Sequence, residues 1–187
     1  MKHSLVKDTI VETASNLFYK NGFNLTGINE IIKEAGIAKA TLYNHFSSKE
    51  EICLAYLQYK NTTFLKEIEN FALKASKGEG QLLALFDFLK SFFNGKNFNG
   101  CWCIKTVAEI PMENTMIRTE IQHQKNVFIN LIEDLVESNM QPISSDKKKL
   151  IAKQVYLLYE GAVSESHLHQ DVWPILSAKA ICKKLLE

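Results

Sequence analysis

The chain has 187 residues, of which 46% are hydrophobic and 23% are charged, and its formal net charge is +1. A chain of this length and apolar content can bury one or two small cores, which excludes an intrinsically disordered protein. Residues 1–50 carry six lysines against five acidic residues, so bulk basicity is excluded as a basis for nucleic-acid binding. Any such role depends on where individual charges lie.

The amino-terminal sequence and the cysteines indicate the compartment. The start, MKHSLVKDTI, lacks the apolar run of a secretory signal, and no stretch of about 18 apolar residues is present to span a bilayer. Four scattered cysteines are too few for a disulfide framework in a chain this long. We therefore expect a soluble, cytoplasmic protein with reduced thiols and no membrane partner.

Helical spacing of apolar residues dominates the chain from its start. Only three prolines occur and glycine is sparse, which favours an all-helical fold. A first helix is predicted to end at Gly22, and a second, short helix to start at a Thr26 cap and close at Gly36. The buried positions of the second helix follow helical periodicity: Ile28, Ile31, Ile32 and Ala35.

The remaining predicted helices define two domains. A third short helix covers residues 38–46, and a capping box of Ser48 and Glu51 opens a long fourth helix. Beyond it, breaks at SKGEG, NGKNFNG, IPMENT, NMQPISS and HQDVWP divide roughly five more helices. The expected fold is all-α, with a small domain at residues 1–48 and a larger helical domain at residues 49–187.

The third helix, in the segment GIAKATLYNHF, has one apolar and one polar side. Each residue advances about 100 degrees around a helix, so Leu42, His45 and Phe46 lie on one side. The apolar side can pack on the isoleucines of the second helix. The opposite side offers donors and acceptors suited to base edges and phosphate oxygens: Lys39, Thr41, Tyr43 and Asn44.

This geometry is typical of a DNA-binding helix. A tight link through Gly36, which Ile37 plugs, forms the helix–turn–helix arrangement that presents its second helix to the major groove. A merely solvated polar face is the alternative. Two features favour DNA binding. An exposed Tyr43 without a partner is unfavourable, because its ring favours burial and its hydroxyl favours a hydrogen bond. Lys49 lies in the first turn of the fourth helix, where backbone N–H groups at the helix start can help to hold a phosphate.

The stretch Gly22–Ile52 resembles the amino-terminal domain of the TetR family of bacterial transcriptional regulators. The resemblance is densest at Thr26, Ala35, Gly36, Thr41, Leu42, Tyr43, His45, Phe46 and Lys49. In that family the region is a three-helix DNA-binding head, and the remainder is a helical domain that binds a small effector and dimerises. The resemblance implies base contacts from Lys39, Ala40, Thr41 and Asn44. It implies phosphate contacts from Thr26, Tyr43, His45 and Lys49.

One position departs from the family pattern. The residue before the recognition helix, commonly serine in the family, is Ala38 here. An alanine cap typically costs ~1 kcal/mol of helix stability. We therefore predict that this helix lacks a side-chain cap.

Aromatic and sulfur-containing side chains between residues 86 and 128 are candidates for lining an apolar effector pocket. Plain core packing is the alternative for each of them, because aromatic residues at helical spacing are usually core. The resemblance to the family raises the expectation of a pocket for an unidentified small molecule. The candidates are Phe86, Phe93, Trp102, Met112, Met116 and Phe128.

The segment NGCWCIKTVAEIP carries two thiols that are candidates for sensing an electrophile or an oxidant. Cys101 follows a glycine at a predicted helix start, where the helix dipole lowers a thiol pKa. Some TetR-like regulators place a glycine and a cysteine before the corresponding helix, and some sense electrophiles through cysteine. The alternative for both Cys101 and Cys103 is an inert, buried thiol.

Two other roles of Cys101 and Cys103, in a metal site or in catalysis, have less support from the sequence. Zinc shared with His167 and His169 is disfavoured, because Cys101 and Cys103 diverge by about 200 degrees on a helix, and we expect no metal or other cofactor. A cysteine hydrolase built on Cys101 is the rival from another class of protein. The sequence has no nucleophile elbow, phosphate-binding loop or dinucleotide fingerprint, and we do not expect an enzyme.

The last two helices resemble the pair that dimerises the family. Small residues would allow close approach and larger ones would fill the interface: Gly161, Ala162, Ser164 and Ser166, with Leu150, Val155, Leu158, Leu168 and Leu176. Packing within one chain is the alternative. A dimer places two recognition helices roughly 34 Å apart on a palindromic operator. The expected protein is therefore a homodimeric repressor that a small effector releases from double-stranded DNA. An activator with the same DNA-binding head is the alternative.

Overall fold

A computed structural model describes residues 2–187, with side chains from residue 5 onward. All regular elements in this range are helices. They are α1 Lys2–Asn21, α2 Ile28–Glu34, α3 Lys39–Tyr43, α4 Lys49–Leu73, α5 Glu79–Phe93, α6 Trp102–Glu109, α7 Thr115–Asn139, α8 Ser145–His169 and α9 Trp173–Leu186. The all-α prediction is confirmed, and so are the five breaks predicted after the fourth helix.

The chain folds into two compact units. The first contains the described residues up to Thr63 together with Trp102–His123, and the second contains Phe64–Cys101 and Gln124–Glu187. Packing thus divides α4 between the units and assigns α6 to the first. The functional division at residues 48 and 49 stays a prediction, because packing units and binding domains need not share a boundary.

The first unit has a core of apolar side chains from its amino-terminal helices. Buried side chains of α1 to α4 include Ile10, Phe18, Ile31, Leu42, Ile52 and Tyr56. Gly22, with φ 93°, follows the last residue of α1, as predicted for a left-handed helix stop. Phe18 packs against both Phe23 and Tyr56, with ring centroids 5.6 and 5.5 Å apart.

The second unit is a helical bundle with an aromatic centre. Phe64, Phe86, Phe128 and Tyr159 form a cluster with centroid separations from 5.1 to 6.4 Å. Burial, and after it the charges of Glu160 and Cys101, raises the pKa of Tyr159 well above its ordinary value. Helix α9 packs along α8 and α5. No helix within residues 2–187 combines the length and apolarity needed to cross a membrane.

The start of α2 differs from the prediction. Gly27, and not Thr26, is the N-cap, and it provides no side-chain bond. The Thr26 hydroxyl instead donates to the Gly22 backbone O at 2.8 Å, and the side chain is fully buried. The predicted Thr26 cap is wrong, because the threonine side chain is used to close the loop that precedes the helix.

Candidate nucleic-acid interface

The two sides of α3 differ as the sequence predicts. Leu42 and Phe46 are 0% and 5% exposed, so the apolar side is anchored in the first unit. Lys39 Nζ lies 6.0 Å from the centroid of the Tyr43 ring, one turn along the same helix. Tyr43 itself is 44% exposed, although it is a large aromatic residue. The outward side is exposed at Lys39, Ala40, Tyr43 and Asn44, and half-buried at Thr41.

The turn that presents α3 is formed by backbone geometry. Gly36 has φ 64°, a left-handed value that suits glycine. Its N–H donates to Lys33 O at 3.2 Å, and the Ile37 N–H donates to Ile32 O at 3.2 Å, which ends α2. Ala38 then adopts an extended conformation as the α3 cap without a side-chain bond. The predicted glycine turn and the uncapped helix start are both confirmed.

The start of α4 forms the second edge of the polar surface. The Glu51 N–H donates to Ser48 Oγ at 3.2 Å, and the Ser47 N–H donates to Glu51 Oε2 at 2.7 Å. The bond from the Ser47 backbone is the main cause that lowers the pKa of Glu51. Lys49 is the first residue of the helix, and its Nζ lies 4.4 Å from the Phe23 ring centroid. The capping box is confirmed, with Ser47 in place of Ser48 as the reciprocal donor.

The four residues implied in phosphate contacts differ in their burial. Thr26 has no exposed surface, and its hydroxyl is bonded to Gly22, so the implied contact from its side chain is not available in this conformation. His45 is half-buried beside the anchored side of α3. The exposed candidates are therefore Lys39, Ala40 and Tyr43 on α3 and Asn44 at its C-cap, with Lys49 half-buried at the start of α4.

The six candidates for an effector pocket are divided between the units. Phe86 and Phe128 are buried in the aromatic cluster of the second unit, and Phe93 packs on Phe98 with centroids 5.2 Å apart. Trp102, Met112 and Met116 belong to the first unit. Met112 is 74% exposed and Met116 is 47% exposed. The effector pocket stays a prediction.

The two candidate thiols have different environments. Cys103 is 1% exposed, whereas Cys101 is half-buried. The distance between Cys101 Sγ and Lys125 Nζ is 3.2 Å. Lys125 Nζ also lies 2.6 Å from Glu160 Oε1. Neither Lys125 nor Glu160 was singled out by the sequence analysis, because they are 24 and 59 residues from Cys101 and no local pattern links them.

The histidines and cysteines are not gathered into a metal site. His167 Nε2 lies 3.0 Å from Asn99 Oδ1, and its ring contacts Phe98 with centroids 6.0 Å apart. Across residues 2–187 no group of three or more histidine, cysteine or acidic side chains has a geometry that could hold a metal ion. None of the four cysteines in this range forms a disulfide.

The outer face of α8 and α9 carries apolar side chains in contact with solvent. Leu157 is 67% exposed and Leu168 is 71% exposed. Part of this face is a shallow groove of about 380 Å³ lined by Gln154, Leu157, Leu158, Ile181 and Leu185. Other exposed members of the face are Leu150, Trp173 and Leu176, with the small residues Gly161 and Ser164.

Three of the residues predicted for an interface between chains pack inside their own unit. Val155, Ala162 and Ser166 are 0%, 3% and 0% exposed. The prediction for these positions is wrong, because they lie on the side of α8 that faces its own bundle. Ser166 Oγ donates to Val163 O at 3.2 Å, which satisfies its hydroxyl within the helix.

Comparison with known proteins relates the residues of this polar surface to a family of regulators. Residues 10–56 match the family model described as bacterial regulatory proteins, tetR family. The amino-terminal region of the chain therefore matches the TetR family. The matched residues contain most of α1, all of α2 and α3, and the start of α4, so they cover the helix–turn–helix and Lys49.

Two curated relatives extend beyond the TetR-family head. A fatty acid metabolism regulator protein of Bacillus subtilis is 23% identical over 133 residues, which are 71% of this chain and 66% of that protein. The chain thus spans just under two thirds of that regulator. The transcriptional repressor NemR of Escherichia coli is 23% identical over 188 residues, which cover 96% of this chain and 93% of the repressor. Both relatives are regulators, and NemR is a transcriptional repressor.

A solved structure shows that the whole chain has the TetR-family fold. The reduced form of Escherichia coli NemR superposes with a TM-score of 0.87 and covers 97% of each chain, at 20% sequence identity. Identity this low supports the fold alone. Both compact units of this chain therefore have counterparts in a TetR-family protein.

Proposed function

We propose that this TetR-family regulator is a homodimeric repressor that binds a palindromic operator through α3 and is released by a small effector. The observation that carries the proposal is the side-chain arrangement of α3. Helix α3 ends at Tyr43 and is thus shorter than the predicted helix over residues 38–46. It is anchored by Leu42, with the buried Phe46 in the turn that follows, and exposes Lys39 and Tyr43, with Asn44 at its C-cap, directly after a glycine turn. These side chains are suited to base edges and phosphates, and a DNA-bound regulator acts in the cytoplasm.

The two types of contact have different partners in this proposal. Asn44 can donate to and accept from a base edge, whereas Tyr43 and Lys49 contact phosphates and set the orientation of the helix. Lys49 is held over the Phe23 ring at 4.4 Å in the DNA-free chain. A lysine that is already positioned loses less side-chain entropy when it binds a phosphate.

The dimer is supported by the apolar outer face of α8 and α9. Exposed leucines on a monomer are unfavourable in water, and burial of apolar surface contributes roughly 25 cal/mol per Å². A second copy of the chain is the proposed partner of this face, because TetR-family regulators act as dimers. A two-fold interface places the same surface of both copies in contact. Leu157 and Leu168 are the central contacts of this interface.

Release requires an effector with unequal affinity for two conformations. A ligand that binds the DNA-bound and free forms equally shifts nothing. Because coupling is reciprocal, an inducer that weakens operator binding must itself bind more weakly, by the same factor, when operator is present. Apolar compounds are the class that the candidate aromatic residues favour. Equal effector affinity with and without operator would contradict release by this route.

Selection of binding sites from random duplex DNA tests the proposal. We expect an enriched palindrome. Tyr43→Ala and Lys49→Ala should each weaken binding to the selected duplex. Lys49→Ala should also lower the salt dependence of log K by about 1, because it removes a charged phosphate contact, whereas the neutral Tyr43 side chain should leave that dependence unchanged. Tyr59→Ala is the matched control, since Tyr59 is 42% exposed on α4 against 44% for Tyr43. Unchanged affinity for the duplex in both Tyr43→Ala and Lys49→Ala would overturn the proposal.

A second candidate function is release by a reactive electrophile at Cys101. The specific observation that favours it is Lys125 Nζ at 3.2 Å from Sγ. An ammonium group beside a thiol stabilises the thiolate, which is the nucleophilic form. Addition of a Michael acceptor would form an S–C bond at its β-carbon, while the α-carbon takes a proton from water. The thioether carries no charge, so Lys125 would lose an anionic partner.

Thiol reactivity separates this candidate from the first. N-ethylmaleimide should modify Cys101 first, because Cys103 is buried and burial raises the pKa of both Cys53 and Cys182 to about 12. Lys125→Met should slow the reaction at Cys101, and modification should weaken operator binding in wild type but not in Cys101→Ser. Equal sensitivity of both proteins would end this candidate and leave DNA binding unaffected.

A further inference from the structure

Glu109, the last residue of α6, is bonded to the loop between α1 and α2. The backbone N–H of Asn24 donates to Glu109 Oε2 at 2.6 Å. The Asn24 side-chain amide donates to the Glu109 backbone O at 2.9 Å. The two residues are separated by 85 positions in sequence, and both lie in the first unit. One loop residue is therefore fixed to α6 by its backbone and by its side chain.

Gly22 allows the carboxylate to approach this loop. Its φ of 93° is rarely adopted by residues with a side chain. A Cβ at this position would also overlap Glu109 Oε1. Glycine is thus required twice, once for the turn that ends α1 and once for contact with Glu109. Hydrogen bonds to an ionised acceptor are stronger than neutral ones, so this contact holds the loop firmly.

Lys105, one turn earlier on α6, is bonded to the end of α1. Its Nζ donates to the backbone O of Tyr19 at 3.0 Å. Burial lowers the pKa of Lys105, and the charge of Glu109 partly offsets this effect. Helix α6 thus presents a cation to the carbonyl end of α1 and an anion to the N–H group of the following loop. Both arrangements are electrostatically favourable, because the ammonium group lies at a carbonyl oxygen and the carboxylate lies at an N–H group.

Asn24 connects this contact to the polar surface of the head. Its backbone O accepts from Lys49 Nζ at 3.4 Å, and the neighbouring Phe23 ring lies under the same ammonium. We infer that Glu109 is a positioning residue for DNA recognition, which fixes Asn24 and thereby places Lys49 for its phosphate. This role rests on the proposed DNA-binding function, and it adds a residue outside the helix–turn–helix.

Operator binding by Glu109→Gln in the full-length protein tests the inference. A neutral amide keeps the size of the side chain and loses the ionised acceptor, so we expect about tenfold weaker binding to the selected duplex. The salt dependence of log K should fall as it does in Lys49→Gln, because the same phosphate contact is lost. Glu113→Gln is the matched control, as an exposed carboxylate four residues further along, and it should bind like wild type.

A double-mutant cycle distinguishes positioning from a general loss of stability. If Glu109 acts through Lys49, then Glu109→Gln should weaken binding much less in a Lys49→Gln background than in wild type. The inference would be overturned if the two substitutions weakened duplex binding by independent factors, so that the double variant showed their product. It would also be overturned if Glu109→Gln bound the duplex as tightly as wild type. Asn24→Ala removes the bond from the Asn24 side chain to Glu109 and keeps the bond from the Asn24 backbone. If Glu109→Gln fails to fold, Asn24→Ala replaces it in the double-mutant cycle with Lys49→Gln.

Hydrogen exchange tests the contact without DNA. The Asn24 amide should exchange slowly in the free wild-type protein and about tenfold faster in Glu109→Gln, with little change in Glu113→Gln. Equal exchange in the first two proteins would show that the bond does not hold the loop, and the inference fails. If wild type selects no DNA, the proposed function and the positioning role fail together. The exchange experiment then still reports whether Glu109 fixes the loop.

Discussion

The outward face of α3 and the outer face of α8 are both exposed, but they differ in chemistry. The α3 face presents a lysine, a tyrosine and an asparagine over an anchored apolar side. The α8 face presents leucines, with Leu157 and Leu168 more than 65% exposed. Exposure alone therefore does not define a binding surface. The side-chain chemistry is the basis for the partners that we propose: a polar, hydrogen-bonding duplex for the α3 face and an apolar copy of the same chain for the α8 face.

The largest expected effect comes from placing a charge on the α8 face. Leu157→Glu would bury an unpaired carboxylate at the two-fold interface, so we expect the dimer dissociation constant to rise more than about 30-fold. Sedimentation velocity over a range of concentrations measures it. Leu73→Glu, on an exposed leucine of α4, is the control and should leave the oligomeric state unchanged. A dimer of undiminished affinity in Leu157→Glu would show that the α8 face has another occupant.

A change on the α3 face should affect base selection. Asn44→Ala removes a side chain that can bond a base edge, and a good base contact contributes about 1–3 kcal/mol of discrimination. Repeating the selection with this variant should give a palindrome with relaxed preference at one position of each half-site. Asn29→Ala, an exposed asparagine on α2, should leave the selected sequence unchanged. If both variants select the wild-type palindrome, Asn44 does not read a base.

The two faces were also unequally predictable from sequence. The α3 face depends on local signals: the left-handed Gly36, the capping residues Ser48 and Glu51, and the periodicity that buries Leu42. Each acts within a few residues, so the pattern specifies the structure. On α8, Leu168 and Val155 look alike in sequence. Only the packing of α8 on its own bundle shows that Val155 is buried and Leu168 is exposed.

Contacts between distant segments could not be predicted at all. Glu109 meets Asn24 across 85 residues, and Lys125 meets Glu160 across 35. No periodicity or spacing connects such pairs, because their proximity results from tertiary packing. The Thr26 error has a related cause. A threonine before a helix can cap it or bond its own loop, and the Gly22 turn brings a backbone carbonyl within reach.

A smaller effect should follow from the cap that α3 lacks. Ala38 and Ser144 both precede a helix in extended conformation, but only Ser144 provides a side-chain acceptor, for the Lys147 N–H. We expect Ala38→Ser to stabilise the free protein by ~1 kcal/mol and Ser144→Ala to destabilise it by a similar amount. Chemical denaturation of the two variants measures both changes. Lower stability in Ala38→Ser would contradict the cap assignment at α3.

The smallest predicted effect is a pH dependence at the start of α4. The bond from the Ser47 N–H lowers the pKa of Glu51 below its ordinary value of 4.5. The folded protein thus binds this proton more weakly than the unfolded chain does. The resulting stabilisation is fully present above pH 4.5 and is lost as the pH falls through the folded-state value.

Replacing the carboxylate should remove this dependence. Thermal denaturation of Glu51→Gln should therefore differ from wild type most near neutral pH, and the difference should shrink as the pH falls below about 4.5. Glu50→Gln makes the same change in charge at the adjacent position and keeps the bond to Ser47. A difference between wild type and Glu51→Gln that stays the same at all pH values would contradict the prediction, because ionisation of Glu51 would then not contribute to stability.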